Sequence, residues 1–395
     1  MIHPTTRVLA AELPGHVGES VEISGWLHRR RALKSVTFLV IRDRSGPAQV
    51  VATGAGPDLP EETVLRIRGT VTANPQAPAG VELTSPTVEV LSSLAEAPPF
   101  SLFRPTVEAA LPVILDGLGF TEIQTPKVVS SATESGADVF ALDWFGRPAY
   151  LAQSPQFFKQ AMVGVFERVY ETGPVFRAEP HDTARHLAQY TSLDAELGFI
   201  TDHREVMAVL REVVAGMVAS VAERAGAAVD LLEVKPPEVP AEIPQLHFAE
   251  AMRLLGVDEP DLAPAHERWL SEWALREHGS EFLFVVGYPM RKRPFYTHPE
   301  PGRPEYSNSF DLLFRGLELV TGGQRLHRYE DYLAALAARG EPVQPYEGYL
   351  RSFAHGMPPH GGFALGLERW TARLTGTDNI RRTTLFPRDL HRLTP

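Results

Sequence analysis

Cysteine is absent from the 395-residue sequence, and this absence narrows the chemistry open to the chain. Disulfide bonds and thiolate metal sites are excluded, and nothing favours an oxidising compartment. No apolar run approaches the ~20 residues that are needed to cross a bilayer, so we expect no membrane span. The first residues, MIHPTTRVLAAELPGH, lack the basic and then apolar pattern of a signal peptide, so the expected location is cytoplasmic.

An overall surplus of positive charge is also missing, since the formal net charge is −11. Residues 1–91 nevertheless contain nine Lys and Arg against nine Asp and Glu, so the negative surplus lies in the rest of the chain. Within this neutral part, residues 21–50 hold six basic and two acidic residues. A basic patch on a small module is typical of a surface that binds phosphates.

Residues 1–91 alternate short apolar strands with turns, and they predict a small β-barrel. Five strands at this spacing fit an OB-fold, which often binds single-stranded nucleic acid. Phe38 alternates with Thr37, so it is predicted either to stack on a base or to lie in the core. The predicted strands are residues 19–28, 35–43, 47–52, 63–72 and 81–91.

Residues 92–104 are rich in Ser, Ala and Pro and are predicted to be a short hinge linker. Residues 105–395 mix strands and helices, among them a helix predicted over residues 155–170, without regular βαβ alternation. This pattern predicts an α+β domain, an antiparallel sheet flanked by helices. The glycine-rich phosphate motifs of P-loop and Rossmann proteins are absent. Residues 229–280 are interpreted as a mixed insertion, with no motif of their own.

Residues 171–200 bring several kinds of charge together in one predicted hairpin. Arg177 and Glu179 are two residues apart, so strand alternation puts both on one face. Residues 180–182 predict a turn, and residues 192–197 return as a second, acidic strand. A guanidinium can clamp a phosphate, and carboxylates can orient amines or hold magnesium. The alternative is a surface hairpin whose charges form ordinary salt bridges.

Three separated segments resemble the motifs of the class II aminoacyl-tRNA synthetases. GFTEIQTPKVV is similar to motif 1, FRAE followed by RHL to motif 2, and GLER before a helix to motif 3. This order, with a basic OB-fold in front, resembles the class IIb enzymes for aspartate, asparagine and lysine. Resemblance to the archaeal-type aspartyl branch is carried by TPKVV, YLAQSPQFFKQ, SFDLLFRGLE, TGGQR, HGMPPHGGFALGLER and FPRD with RLTP. The hinge is shorter than that branch usually has.

The resemblance implies a two-step reaction that places aspartate on tRNA(Asp). Aspartate would attack the α-phosphate of ATP to give aspartyl-adenylate and pyrophosphate, and the aspartyl group would then move to the 3′-end of the tRNA. Positioning and neutralisation of phosphate charge would supply most of the catalysis. Mg²⁺ is the implied cofactor, and Asp311, Glu318 and the hydroxyl of Thr321 would hold it. A homodimer through motif 1 is also implied.

The three motifs further imply an ATP site. Arg177 and Arg369 are the implied catalytic residues, which would bind the α-phosphate and the γ-phosphate. Glu179 would orient the adenine amino group. The implied ATP-binding set is Arg177, Ala178, Glu179, Arg185, His186, Leu187, Glu318, Gly366, Leu367, Glu368 and Arg369.

A bound aspartate side chain carries a negative charge, whose burial without a partner is prohibitive. Lys159 and Arg325 match the family's readers of this carboxylate, and asparagine would leave both cations unpaired. Gln156 and Glu134 would bind the α-amino end of the substrate. The implied aspartate-binding set is Glu134, Gln156, Lys159, Arg177, Thr321 and Arg325.

The resemblance places anticodon recognition on the OB-fold. Phe38 would stack on the middle base, and Gln49 would hydrogen-bond to a base edge. His28 lies where strict and relaxed aspartyl enzymes are thought to differ, and it favours a relaxed enzyme that also charges tRNA(Asn). The implied anticodon set is His28, Arg29, Arg30, Arg31, Phe38 and Gln49.

Four alternatives remain open at this stage. One is a strictly discriminating aspartyl enzyme, and another is an asparaginyl enzyme, which Lys159 and Arg325 oppose. A third is a tRNA-independent ligase that forms asparagine on the same fold, which the OB-fold opposes. The last is a non-catalytic RNA-binding paralogue, which should have lost Arg177, Glu318 or Arg369.

Overall fold

The computed structural model describes residues 7–394, apart from residues 55, 62, 93–103, 132–137 and 355. Contacts divide the chain into two units, of which the first comprises Met1–Pro99 with Asp230–Glu233 and the second comprises the remainder. The predicted hinge lies outside the described residues except at its two ends.

A closed five-stranded barrel forms the first unit, and its neighbouring strands follow the order β1-β2-β3-β5-β4. Each strand alternates buried apolar and more exposed side chains, so Leu39 and Ile41 fill the interior while Val40 faces outward. The OB-fold prediction is confirmed, and every predicted strand is present with its ends shifted by a few residues. The strands are β1 (Ser20–Ala32), β2 (Val36–Asp43), β3 (Gly46–Thr53), β4 (Val64–Ala73) and β5 (Val81–Ser92).

An eight-stranded sheet forms the centre of the second unit, as the α+β prediction requires. Its strands run in the order β12-β13-β16-β17-β18-β11-β10-β6, antiparallel except for the outermost pair at each edge. These strands are β6 (Thr121–Glu122), β10 (Arg168–Phe176), β11 (Gln189–Gly198), β12 (Gln245–His247), β13 (Phe282–Val286), β16 (Ser309–Phe314), β17 (Leu317–Gln324) and β18 (His360–Gly366).

Two small antiparallel sheets accompany the main one. The first contains β7 (Val128–Val129), β8 (Ala141–Trp144) and β9 (Arg147–Leu151), and the second contains β14 (Pro299–Glu300) and β15 (Arg303–Ser307).

Helices cover the sheet, and the largest apolar core lies between one sheet face and α3, which buries Leu210, Val213 and Met217. In the described part of the chain, no helix combines the length and apolarity needed to span a membrane. The helices are α1 (Arg104–Gly117), α2 (Gln156–Phe166), α3 (His203–Arg224), α4 (Gly226–Leu231), α5 (Phe248–Leu255), α6 (Pro264–His278), α7 (Tyr329–Arg339), α8 (Glu347–Ala354) and α9 (Leu367–Thr375).

Two local expectations differ from the structure. The helix predicted over residues 155–170 ends at Phe166, because Glu167 adopts a positive φ of 65° and the chain turns into β10. The supposed insertion at residues 229–280 is built into the fold, since it supplies the edge strand β12 and the helices α5 and α6 that cover one end of the sheet.

Candidate active site

A cavity of about 480 Å³ opens over the central strands β11, β17 and β18. Side chains of motifs 2 and 3 line it, together with residues that the sequence did not single out. Motif 1 contributes none of the described lining residues. The predicted residues that line the cavity are Gln156, Arg177, Glu179, Arg185, His186, Leu187, Glu318, Thr321, Arg325, Gly366, Glu368 and Arg369. Of the other residues predicted for this site, Ala178, Leu367, Lys159 and Asp311 are not part of the lining, and Glu134 lies outside the described residues.

Arg177 and Glu179 reach the cavity from the point where β10 ends. The backbone N–H of Arg177 donates to the carbonyl of Ala188 at 2.9 Å, so the hairpin remains paired one residue beyond its strands. The Arg177 guanidinium lies 4.0 Å from the Glu179 carboxylate, and about a third of each side chain is exposed. A cation and an anion therefore face the cavity side by side, as the strand alternation predicts.

The loop after Glu179 adds three more polar side chains to the lining, those of His181, Arg185 and His186. His186 lies 2.6 Å from the Thr183 hydroxyl, and its ring packs 4.9 Å from that of His181. Burial, and then the charge of Arg369, lower the pKa of His186. The imidazole is therefore neutral at pH 7 and adds no charge to a phosphate site.

The C-terminal segment holds this loop in place. Arg381 donates to the carbonyl of Thr183 at 3.1 Å and to the carboxylates of Asp182 and Asp389 at 2.6 and 2.5 Å. The backbone N–H of Ile380 adds a bond of 2.9 Å to the carbonyl of Ala184. Residues almost two hundred positions away therefore fix the motif 2 loop.

Glu318 lies at the start of β17, next to the motif 3 arginine. Thr321 donates to a Glu318 carboxylate oxygen at 3.1 Å, and Arg369 donates to the Glu318 carbonyl at 3.3 Å. The carboxylate itself is 3.8 Å from the Arg369 guanidinium. A hydroxyl, a carboxylate and a guanidinium thus meet at one corner of the cavity.

Asp311, the third predicted magnesium ligand, forms a buried ion pair with Arg293. Both of its carboxylate oxygens accept from Arg293 at 3.0 Å, and the Arg293 guanidinium stacks 4.0 Å above the ring of Tyr288. Burial raises the pKa of Asp311 to about 6, although Arg293 opposes the shift.

Among the described residues, no three His, Asp or Glu side chains are grouped closely enough to bind a metal ion by themselves. Glu318 lines the cavity beside the hydroxyl of Thr321, and this pair fits the way Mg²⁺ binds, through one or two carboxylates completed by phosphate oxygens.

Two predicted ATP residues also hold motif 3 against the sheet. Glu368 is buried, and its two oxygens each lie 3.0 Å from the backbone N–H of Thr191 on β11. Leu367 is almost fully buried in the core. Gly366 ends β18 at the cavity wall, where an added Cβ would make ordinary van der Waals contact with the Tyr190 ring.

The floor of the cavity contains a buried cluster of four charges. Lys159 on α2 is fully buried and donates to Asp194 at 2.8 Å, with Glu196 at 3.4 Å. Arg325 donates to Glu196 at 2.9 Å. Burial disfavours ionisation of Glu196, but Arg325 and Lys159 outweigh it and hold its pKa below the usual range. The cluster is therefore electrically balanced.

This balance changes the expectation for amino-acid selection. The sequence predicts that Lys159 and Arg325 are unpaired unless the pocket holds a substrate carboxylate. In the structure Asp194 and Glu196 pair with both cations, and of the two cations Arg325 lines the cavity whereas Lys159 does not. A neutral side chain would leave no cation stranded, so the earlier reason for rejecting asparagine is not supported.

A second buried layer of polar groups supports this floor. Gln160 lies within 3.1 Å of the Tyr332 hydroxyl, the Tyr349 hydroxyl and the His360 ring, and it accepts a 2.8 Å bond from Gln156, which lines the cavity. Burial lowers the pKa of His360 to about 4, so the ring is neutral. Helices α7 and α8 thus connect to the α-amino end of the predicted substrate site through Gln160.

The first unit presents most of the predicted anticodon residues on one outer face. Arg31 lies directly opposite Phe38, and Val40 lies between Arg29 and Gln49 on the neighbouring strands. Phe38 is only half-buried, so it is not a core residue. An arginine beside an aromatic ring on a sheet face suits stacking and phosphate contact together.

Three members of the predicted anticodon set are less simply placed. Arg30 falls on the other face by strand alternation, and its guanidinium contacts Asp58 at 3.2 Å. Gln49 donates to Glu82 at 2.8 Å, which orients its amide on the outer face. His28 occupies an irregularity in the pairing of β1 with β2, where the alternation shifts by one residue.

Comparison with protein families agrees with both units. A family described as class II tRNA synthetases (D, K and N) matches residues 101–390, and a family described as the OB-fold nucleic acid binding domain matches residues 21–91. The chain is a class II aminoacyl-tRNA synthetase of the D, K and N group. All three synthetase motifs that the sequence suggested lie within the matched residues 101–390.

Individual relatives of this synthetase match along its whole length. The Aspartate–tRNA(Asp/Asn) ligase of Thermus thermophilus is 46% identical over 424 residues, covering 98% of this chain and 100% of the relative. The ligase of the same name from Deinococcus radiodurans is 43% identical, with full coverage of both chains. The asparaginyl-tRNA synthetase of Pyrococcus horikoshii, solved with asparaginyl-adenylate, has a TM-score of 0.81 at 30% identity, again with full coverage of both chains.

Sequence reasoning missed several residues of the synthetase site. Asp194 and Glu196 could have been identified from the sequence, because alternation in β11 puts both on the face that bears the cavity. Arg293, Arg381 and Glu267 carried no local signal, since their partners are distant in sequence.

Proposed function

We propose that this synthetase is an aspartate–tRNA ligase, which activates L-aspartate with ATP and transfers it to tRNA(Asp) and to tRNA(Asn). The observation that carries the proposal is full-length identity of 43–46% with two relatives named Aspartate–tRNA(Asp/Asn) ligase. The cavity supports it, because it offers cations for a triphosphate and Arg325 for a side-chain carboxylate.

In the activation step, the aspartate α-carboxylate attacks the α-phosphorus of ATP and pyrophosphate leaves. Arg177 is placed to bind the α-phosphate and the attacking carboxylate, so it brings two anions together and compensates the charge that develops between them. Arg185 and Arg369, which also line the cavity, would hold the leaving phosphates. Bound Mg²⁺ would neutralise phosphate charge, and Glu318 with Thr321 would hold it.

Recognition of the substrate side chain is assigned to Arg325. Its Nε donates to Glu196 and one terminal nitrogen to the carbonyl of Gly362, which fixes the plane of the guanidinium. Each N–H of a guanidinium that faces the substrate can donate to a carboxylate oxygen, whereas an asparagine amide offers one acceptor oxygen and an NH2 group that cannot accept. Selection between aspartate and asparagine then rests on hydrogen-bond matching as well as on charge.

Asparagine as the substrate is the second candidate, because specific observations favour it. The solved asparaginyl enzyme of Pyrococcus horikoshii matches the fold over its full length. The balanced charges of Lys159, Arg325, Asp194 and Glu196 would also accept a neutral side chain.

Aspartate-dependent ATP–pyrophosphate exchange decides between the two amino acids. We expect robust exchange with aspartate and none with asparagine under the same conditions. Exchange with asparagine in place of aspartate would overturn the proposal and establish the second candidate.

Relaxed tRNA specificity is tested by charging purified tRNA(Asp) and tRNA(Asn) side by side, with tRNA(Lys) as the negative control. We expect aspartate on the first two. If only tRNA(Asp) is aspartylated, the enzyme is strictly discriminating and the inference from His28 is wrong.

A homodimer and a cytoplasmic reaction complete the proposal. The edge strand β6 is exposed and lies directly after α1, so motif 1 presents a sheet edge that a second copy can cover. Light scattering after size exclusion should give twice the chain mass of 43.6 kDa. The cytoplasm is where tRNA and ATP are both available.

A further inference from the structure

Glu267 is a buried carboxylate in the region that showed no motif. It lies in the first turn of α6, where the positive end of the helix dipole favours an anion. Only 8% of its side chain is exposed. A buried carboxylate is costly unless it is paired, so its partners indicate what it does.

One oxygen of Glu267 has two hydrogen-bond partners, and both are residues of the cavity lining that are predicted to bind ATP. It accepts from a terminal nitrogen of Arg185 at 2.9 Å and from the backbone N–H of Glu318 at 3.1 Å. Arg185 and Glu318 both line the cavity, whereas Glu267 does not. The carboxylate therefore lies behind the predicted phosphate arginine and the predicted magnesium ligand and touches both.

The positive charges near Glu267 indicate what this contact does. Arg373 lies close to Arg185 and Arg369, and burial and then Arg185 lower the pKa of Arg373, while Glu267 acts in the opposite direction. Three neighbouring guanidinium groups repel one another when no triphosphate is present. Glu267 offsets part of that repulsion, and it occupies one edge of Arg185 while the rest of that guanidinium can face the cavity.

We propose that Glu267 is a positioning residue for ATP, which aims Arg185 at the triphosphate and fixes the strand backbone that carries Glu318. The inference rests on the proposed function to the extent that ATP is the ligand of this cavity. An exposed ion pair would contribute little, but this pair is buried, charge-assisted and shared with a backbone donor.

The test compares Glu267→Gln with Glu272→Gln, a matched change at an exposed position of the same helix. In ATP–pyrophosphate exchange we expect the KM for ATP to rise about tenfold in E267Q, the size expected from one charge-assisted hydrogen bond, while the KM for aspartate stays within about twofold. E272Q should match the wild type, and Glu267→Asp, which keeps the charge, should recover part of the loss. An unchanged or lower KM for ATP in E267Q would overturn the inference.

Direct binding of Mg–ATP without amino acid separates this inference from the proposed function. We expect E267Q to weaken ATP binding, and the double variant with Arg185→Ala to lose less than the sum of the two single losses, because the glutamate acts in part through that arginine. Additive losses would contradict the positioning role. If ATP binds as expected but aspartate supports no exchange, the inference about Glu267 stands and the proposed substrate fails.

Discussion

Arg177 faces the cavity, and its proposed role is to bind the substrate rather than to support the fold. Its side chain is 32% exposed beyond the end of β10, and Glu179, the carboxylate 4.0 Å away, is itself partly exposed. We expect Arg177→Ala to abolish adenylate formation while the thermal melting curve stays close to that of the wild type. A variant that forms adenylate near the normal rate would contradict the assignment to the α-phosphate.

Lys159 presents the opposite case, because its charge lies inside the structure. Removing one member of a buried ion pair typically costs 3–5 kcal/mol, and Asp194 and Glu196 would both lose a partner. We therefore expect Lys159→Met to lower the free energy of unfolding by about 3–5 kcal/mol, measured by urea denaturation. Lys235→Met, at an exposed position, is the control and should change it little. Equal stability of the two variants would show that the buried cluster does not depend on Lys159.

At the scale of elements, the motif 2 loop is held by the distant segment that contains Arg381. Replacing Arg381 by alanine removes its bonds to Thr183, Asp182 and Asp389. We expect backbone amide exchange in residues 183–188 to quicken at least about tenfold, since a hydrogen bond to a charged group contributes roughly 1.5–3 kcal/mol.

The matched control for this change is Arg382→Ala, whose side chain is exposed on the same turn. Exchange in that variant should follow the wild type. If both variants exchange alike, the loop is held by its own turn and by Ile380 rather than by the Arg381 side chain.

Element boundaries show where local pattern was sufficient. The barrel strands were predicted to within a few residues, because alternation of side chains follows directly from strand geometry. Helix α2 was predicted too long, since the apolar run continues past Glu167 into β10 without a helix-breaking residue. The tertiary position of β10 in the sheet, which the local sequence does not encode, decides that boundary.

At the scale of the whole molecule, the proposed function divides the reaction between the two units. Adenylate formation would require only the cavity of the second unit, whereas charging would also require the first unit to hold the tRNA. We expect Phe38→Ala to lower kcat/KM for tRNA roughly 5- to 100-fold, the worth of one base stack, and to leave ATP–pyrophosphate exchange unchanged.

Val90→Ala, which truncates another exposed side chain of the barrel, is the control and should affect neither reaction. A loss of exchange in the Phe38 variant would show that the ring supports the fold rather than the tRNA. An unchanged kcat/KM for tRNA would remove Phe38 from the anticodon site.

The sequence alone was sufficient for the fold class, the family and part of the cavity lining, because motifs 2 and 3 each place several functional residues a few positions apart. It could not determine how the charges pair. Lys159 meets Asp194 across 35 residues, Arg325 meets Glu196 across 129, and Arg185 meets Glu267 across 82. Those distances are closed only by the packing of α2, α6 and the central strands. The tertiary structure therefore decided that the buried charges are balanced and that a helix without any motif contacts Arg185 and Glu318 in the cavity lining.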